Sequence, residues 1–409
     1  MKLFTVTFET VTPTFMAGEN QQEFELRPPS LKGLLRFWWR AYHWGQSVLK
    51  PEDLKKKPEE QKKILEERMR KKEGILWGTS DEGGRKSHTS LRLIPPKTEE
   101  TFDPFPKRKT KAAGKSQPVN ILEYLAYGTQ VFQHGEGNQF IRPYLPAQST
   151  FSLILSVNEL SEHDRKEYDF AQDETVELHV MKSLYLLSLC GAIGAKSHNG
   201  FGSLHLERIM ERRNDGQEIP YILPFAQPTF EQAVFFHNNI VNSLLPRFTA
   251  FSKGDNAKQG MRLFKLKQSH KRWDECLWEL GDVYKACKGK LDEPLRCEKR
   301  QYLASPIKIQ QRIGGGWQTH DFSFLERRAK PYFLRVIRTI SGEFNGYILY
   351  LPSEFCPELE RDHNKQYLNE KKHQEMNATF RTVCQTFNND LLADSRMQPI
   401  PLWTLNHTA

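Results

Sequence analysis

The stretch Arg27-Pro28-Pro29-Ser30-Leu31-Lys32-Gly33-Leu34-Leu35-Arg36-Phe37-Trp38-Trp39-Arg40 constrains the fold of this chain more than any other. Two prolines suit the entrance of a helix, where a missing N–H costs little and φ is already near the helical value. The spacing predicts a helix from about Ser30 to about Gln46. Leu31, Leu34, Leu35, Trp38, Ala41 and Tyr42 form one apolar stripe on it, which must face a core. Trp38 belongs to that stripe, and Trp39 falls off it.

Lys32, Arg36 and Arg40 recur every fourth residue, so their cations line up along another side of the helix, and no acid lies between Glu25 and Glu52. Like charges so spaced repel by roughly 0.2–0.5 kcal/mol per adjacent pair. Regularly spaced phosphates would relieve that repulsion, and a solvated helix face would also tolerate it. A net charge of +9, from 59 basic and 50 acidic residues, favours an acidic partner without naming it.

At 409 residues the chain is long enough for two domains. Phe4, Val6 and Phe8 alternate with Thr5, Thr7 and Glu9, as in a half-buried strand. Residues 50–73 mix ten basic with seven acidic residues, which reads as an exposed helix or solvated insertion. Extended pieces are expected at 75–78 and 91–94. An insertion at about 97–118 follows, and its acid-free part, 104–118, reads as a mobile basic loop. Strand alternation returns at Phe151, Leu153, Leu155 and Val157, and Val176, Val180, Leu184 and Leu187 mark a helix. A strand with Leu204 and Leu206 closes a β-α-β-β-α-β order, the ferredoxin-like pattern.

The boundary is placed so that 1–215 and 216–409 are separate α+β domains, both ferredoxin-like. In the second, helices are expected at 229–245, 273–286 and 363–392, with strands at 303–310, 332–340 and 347–351. A basic, acid-free stretch, Lys258 to Arg272, separates the first two helices. This order fits the ferredoxin-like pattern only with one weak or displaced strand.

Gly191, Gly194, Gly200 and Gly202 lie between a helix and a strand. The loop is neither a Walker loop nor a dinucleotide fingerprint, because it lacks G-x-x-x-x-G-K-[ST] and follows a helix. Two readings stay open: backbone N–H groups cradling an anion, or a glycine C-cap with a tight return to the sheet. Beside these elements sit His43 and His198, the two candidates for a general base. No other catalytic pattern stands out.

Cys276, Cys287 and Cys297 cluster near His270, but their gaps match no common zinc pattern, and no cofactor or metal is expected. The apolar runs fall short of the roughly 20 residues of a membrane helix. A soluble, cytoplasmic protein with reduced thiols is expected.

On Thr12-Pro13, Gly18, residues 27–40 and Gly191-Ala192-Ile193-Gly194-Ala195-Lys196-Ser197-His198-Asn199-Gly200-Phe201-Gly202-Ser203, the chain resembles the RAMP superfamily of CRISPR-associated RNA-binding proteins. More narrowly it is similar to the family of subunits numbered one in Cmr complexes, the type III-B RNA-guided effectors. Ala304-Ser305-Pro306-Ile307 adds to the likeness. RAMP loops of this kind usually carry Arg where this chain has Lys196, His198 and Asn199.

The resemblance implies two ferredoxin-like domains packed side by side and a binding role without catalysis. It also implies guide RNA and target RNA as partners near the 3′ end of the guide, together with other Cmr subunits. The residues expected to meet RNA are Arg27, Lys32, Arg36 and Arg40, with Gly191, Gly194, Lys196, Ser197, His198, Asn199 and Gly200 of the loop. Trp39 and Phe201 are expected to stack on bases. A guide-processing RAMP ribonuclease using His43 or His198, and a protein-only scaffold, are the alternatives.

Overall fold

In a computed structural model of the chain, the described residues are 1–43, 49–80, 84, 86–106, 109–110, 119–135, 137–223, 260–291, 297–304, 308–313, 316–321, 330–353, 355 and 369–400. The strand β1 (Lys2–Thr10) lies inside a five-stranded sheet. It pairs antiparallel with β5 (Thr150–Val157) on one side and β6 (Leu204–Arg212) on the other. Phe4 meets Leu155, Val6 meets Leu153 and Phe8 meets Phe151, so the apolar faces of both strands coincide. The outer strands are β2 (Thr89–Ile94), beside β5, and β7 (Glu218–Pro220), beside β6.

Two helices cover the apolar face: α1 (Pro28–His43), after β1, and α5 (Val176–Leu189), after β5. Thr175 caps α5 by accepting a hydrogen bond from the Leu178 N–H. A third helix, α2 (Pro58–Trp77), corrects two expectations. Its Leu65 and Met69 are buried, so it is no solvated insertion. It also carries Ile75, Leu76 and Trp77, which are helical and buried rather than extended.

Between β2 and β5 lie α3 (Ile121–Leu125) and a hairpin of β3 (Gln130–Gln133) with β4 (Gly137–Phe140), and α4 (Glu162–Glu167) precedes α5. Phe105 of the insertion is buried against Phe15, Phe140, Tyr144 and Phe201, so this part is packed rather than mobile. Residues 107–108 and 111–118, with Lys107, Arg108, Lys111 and Lys115 among them, lie outside the described residues.

The second half builds its own antiparallel sheet from β8 (Arg262–Leu266), β11 (Tyr332–Arg338), β12 (Phe344–Tyr350) and the short β13 (Met397–Pro399). Its helices are α6 (Trp273–Lys290) and α7 (Glu370–Ala393), and a hairpin of β9 (Lys308–Ile313) with β10 (Gly316–Asp321) is inserted before β11. The strand expected at 303–310 is displaced: residues 297–302 form a 3-10 turn, and β9 is outside the main sheet.

The expected displaced strand is replaced by β8, in the basic, acid-free stretch between the first two expected helices. The expected helix 229–245, Lys258 and residues 305–307 lie outside the described residues. Counted along each β-α-β-β-α-β run, both sheets have the spatial order second, third, first, fourth. The cores of the halves interlock, since Phe333 and Leu349 join the core under α1 while Phe15 and Phe201 join the core under α6. Arg338 also reaches across to Glu9, at 2.9 and 2.7 Å from its two oxygens.

Candidate nucleic-acid interface

The basic stripe of α1 is largely turned inward. Arg36 Nε donates to Glu73 Oε1 at 2.5 Å, and Arg40 Nη1 donates to the same oxygen at 2.6 Å. Glu73 arrives on α2 with its residue 5% exposed, so one buried carboxylate serves two arginines. The expectation of an unneutralised stripe is therefore corrected, because its acid is 33 and 37 residues away. Lys32 is half-buried, and burial first, then Arg36, holds its ammonium below the usual lysine range. Arg27 is exposed, 3.8 Å from Glu25.

Neither expected stacking aromatic reaches solvent. Trp39 is 1% exposed and Phe201 is 0% exposed. Because α1 touches both α2 and α5, the buried arc of the helix is wide enough to take in Trp39. The Trp39 indole N–H donates to His179 Nδ1 at 3.3 Å, and Phe201 stacks on Phe105 with centroids 5.3 Å apart.

The glycine-rich loop is a joint between the halves. A side chain at Gly194, φ 82°, would come within 2.1 Å of the Phe15 carbonyl oxygen, and one at Gly202, φ 69°, within 1.9 Å of the Ile193 carbonyl oxygen. Only glycine fits both the backbone angle and the contact. Added carbons at Gly191 and Gly200 would press on Trp38 and Leu277. The backbone N–H groups of Ala195 and Gly202 donate to Phe15 and Pro13. Of the two readings of the loop, the tight return to the sheet fits these contacts. Lys196 takes a left-handed φ of 61°, and its carbonyl accepts from Asn199 N–H. The Ser197 carbonyl accepts from Gly200 N–H.

His198 and Asn199 bind the loop to its surroundings. Asn199 Nδ2 donates to the Leu125 carbonyl at 2.7 Å, and Leu334 N–H donates to the His198 carbonyl. His198 Nδ1 donates to the Lys330 carbonyl at 2.9 Å, which fixes its tautomer, and its ring lies 4.0 Å from that of Phe333. Burial, then the Lys330 charge, pushes the imidazole down to about 4. Such a group is far from the pKa that suits a general base near neutrality. His43 is likewise drawn inward, 3.0 Å from His179 Nδ1.

Arg335, which no sequence pattern marked, locks the joint from β11. It is fully buried, and it donates to the Ser188 and Leu189 carbonyls at the end of α5 and to Ser203 Oγ, at 2.9–3.1 Å. These contacts satisfy carbonyls that a helix end leaves without partners.

The first sheet turns its other face outward. Cross-strand rows there read Arg92, Ile154, Thr5, Met210 and then Ile94, Ser152, Thr7, Arg208, with Arg212 beside Leu3. Arg92, Arg208 and Arg212 are exposed and make no ion pair among the described residues. With strands about 4.8 Å apart, they bracket a surface roughly 15 Å wide. The sequence held a signal for Arg92, an arginine between Leu91 and Leu93 on an apolar strand.

Among the described residues no group of side chains is arranged to hold a metal ion, and no helix is long and apolar enough to cross a membrane. Cys190, Cys276, Cys287 and Cys384 are buried free thiols.

These features define an α+β protein of two antiparallel β-α-β-β-α-β sheets joined through a glycine-rich turn. The family model of the RAMP superfamily matches residues 7–205. Among solved structures it is similar to Cmr1 from Pyrococcus furiosus in its apo form, at 16% identity over 98% of this chain and 99% of that one, with a TM-score of 0.46. It is also similar to a chain of the type III-B Cmr-beta complex bound to cognate target RNA, at 12% identity over 95% and 99%, with a TM-score of 0.45. A chain of a type IV-B CRISPR complex matches at 12% identity over 56% of this chain and 96% of that one, with a TM-score of 0.28. No curated protein matches the sequence.

Proposed function

We propose that this chain is a non-catalytic RNA-binding subunit of a type III-B RNA-guided effector, in the position of subunit one, acting in the cytoplasm. It meets guide RNA, target RNA or both near the 3′ end of the guide, next to other subunits of the complex. The observation that carries this reading is the RAMP-superfamily match over residues 7–205. Both halves are read as ferredoxin-like, a topology whose open sheet face can take single-stranded RNA.

On that face Arg92, Arg208 and Arg212 neutralise phosphates. Arg27, Lys32 and Lys196 extend the contact from their loop and helix ends, and Gly191, Gly194, Ser197, Asn199 and Gly200 shape the joint rather than grip phosphate. The internal hydrogen bonds of His43 and His198 speak for binding and against proton transfer.

The test is photocrosslinking of a reconstituted complex carrying 4-thiouridine in the guide or in the target. Crosslinked peptides of this chain should include residues 89–94 or 204–212. A protein-only scaffold would leave no crosslink on this chain.

A further inference from the structure

Among the described residues, β2 pairs with β5 alone and is an edge of the first sheet. The His88 carbonyl accepts from the Asn158 N–H at the end of β5, whereas the Thr89 N–H donates to the other side, to Ser87 Oγ at 3.0 Å. In an antiparallel pair successive residues turn their N–H and C=O to opposite sides. Ser90, Arg92 and Ile94 therefore bond to β5. Leu91 and Leu93 turn their N–H and C=O outward, where no described residue meets them. Such an edge is a template for one more strand.

The strand runs into Pro95-Pro96, where a cleft of about 490 Å³ opens. Phe24, Leu26 and the two prolines are its apolar walls. Glu25, Glu99 and Glu100 are its charges, and no cation lines it. Glu25 is loosely tied to the exposed Arg27, at 3.8 Å. Glu99 and Glu100 are exposed and make no ion pair among the described residues. In a chain of net charge +9, this end of the sheet edge is therefore acidic.

A second copy of the chain does not suit the edge. Pairing two β2 strands through both free residues sets Arg92 directly opposite its copy, and like charges so placed are destabilising.

We propose that the β2 edge receives an extended segment of another protein as an added antiparallel strand, with lysine or arginine side chains at its N-terminal end seated in the cleft. Antiparallel pairing brings that end to Pro95. The apolar stems of the basic side chains lie along Phe24, Leu26 and the prolines, and their charged heads meet the three carboxylates. Leu91 and Leu93 pack against the core, so the guest residues opposite them are apolar. The guest residue opposite Arg92 lies on the outer face, where a carboxylate suits it. This docking site goes beyond the RNA-binding reading and does not depend on it.

The chain, tagged at its C-terminus and recovered with its bound partners from its own cells, is compared with the purified chain alone by amide hydrogen exchange resolved to single residues. The Leu91 and Leu93 amides should exchange freely in the chain alone and about a hundredfold more slowly in the assembly. Glu99→Lys with Glu100→Lys, both in an exposed segment, should reduce that protection about tenfold and leave urea unfolding of the isolated chain unchanged. Exchange that assembly does not slow, or amides already slow in the chain alone, would overturn the proposal. Protection that the charge reversal leaves unchanged or increases would also overturn it, because RNA rather than a basic strand would then cover the edge. The 4-thiouridine crosslinks report on RNA separately, so either reading can fail without the other.

Discussion

Two sets of arginines in this molecule have the same chemistry and opposite uses. Arg36 and Arg40 stand on a helix with no acid near them in sequence, yet they share the buried Glu73. Arg92, Arg208 and Arg212 stand on strands, form no run of charge in sequence, and face outward from the open sheet. Charge spacing on one element shows where cations line up. What the opposing element contributes decides whether they are left for a partner.

If the inward cations are structural, the largest loss of stability should come from Arg335, the most enclosed of them. Arg335→Met would strand two carbonyls at the end of α5 and should cost ~3 kcal/mol in urea unfolding. Glu73→Gln comes next. It leaves Arg36 and Arg40 facing each other without a carboxylate, but their side chains are 36% and 27% exposed, so solvent screens part of the effect. About 1–3 kcal/mol is expected, with RNA affinity at fixed folded fraction unchanged.

The histidines beside the helix and the loop give a smaller, pH-dependent effect. Burial pushes His179 down to about 3 and His198 down to about 4, from an ordinary value of 6.5. The folded chain keeps both neutral, whereas the unfolded chain protonates them below about pH 6.5. The unfolded state thus binds more protons, and stability is lost as pH falls from about 6.5 toward 4 and 3. Between pH 7.5 and 5.5, mostly above the carboxylate range, the loss should be about 1 kcal/mol per histidine. His198→Phe should remove its share of the slope.

The smallest stability change should come from the outward set. Replacing Arg92, Arg208 and Arg212 together by glutamine should alter unfolding by less than ~0.5 kcal/mol, which a chemical melt would check.

Much of the first half was legible because its periods are clean. β1 and β5 alternate, the stripe of α1 is regular, and Val176, Val180, Leu184 and Leu187 are all buried on α5. α2 was misread because its many charges hide the few apolar residues that reach the core. β8 was missed for a similar reason: Leu263, Phe264 and Leu266 are all buried, so the strand has no alternation to see. Three-residue β13 is too short to carry a period.

In the candidate site, the glycines were recognised as a constraint, but their purpose depended on Phe15 and Ile193 approaching from elsewhere. Glu73 and Arg335 act across 33 to 147 residues, a range that no local spacing encodes. Trp39 depended on two further helices packing around α1.

The division between inward and outward cations is tested most directly by the salt dependence of single-stranded RNA binding. Log affinity is measured against log salt for the parent chain, for the triple glutamine variant at Arg92, Arg208 and Arg212, and for Arg36→Gln with Arg40→Gln. The triple variant should lose about 2 from the slope, at roughly 0.7 per phosphate contact, and the double variant should keep the parent slope. The reverse pattern, a flattened slope in the double variant and an unchanged one in the triple, would contradict the account.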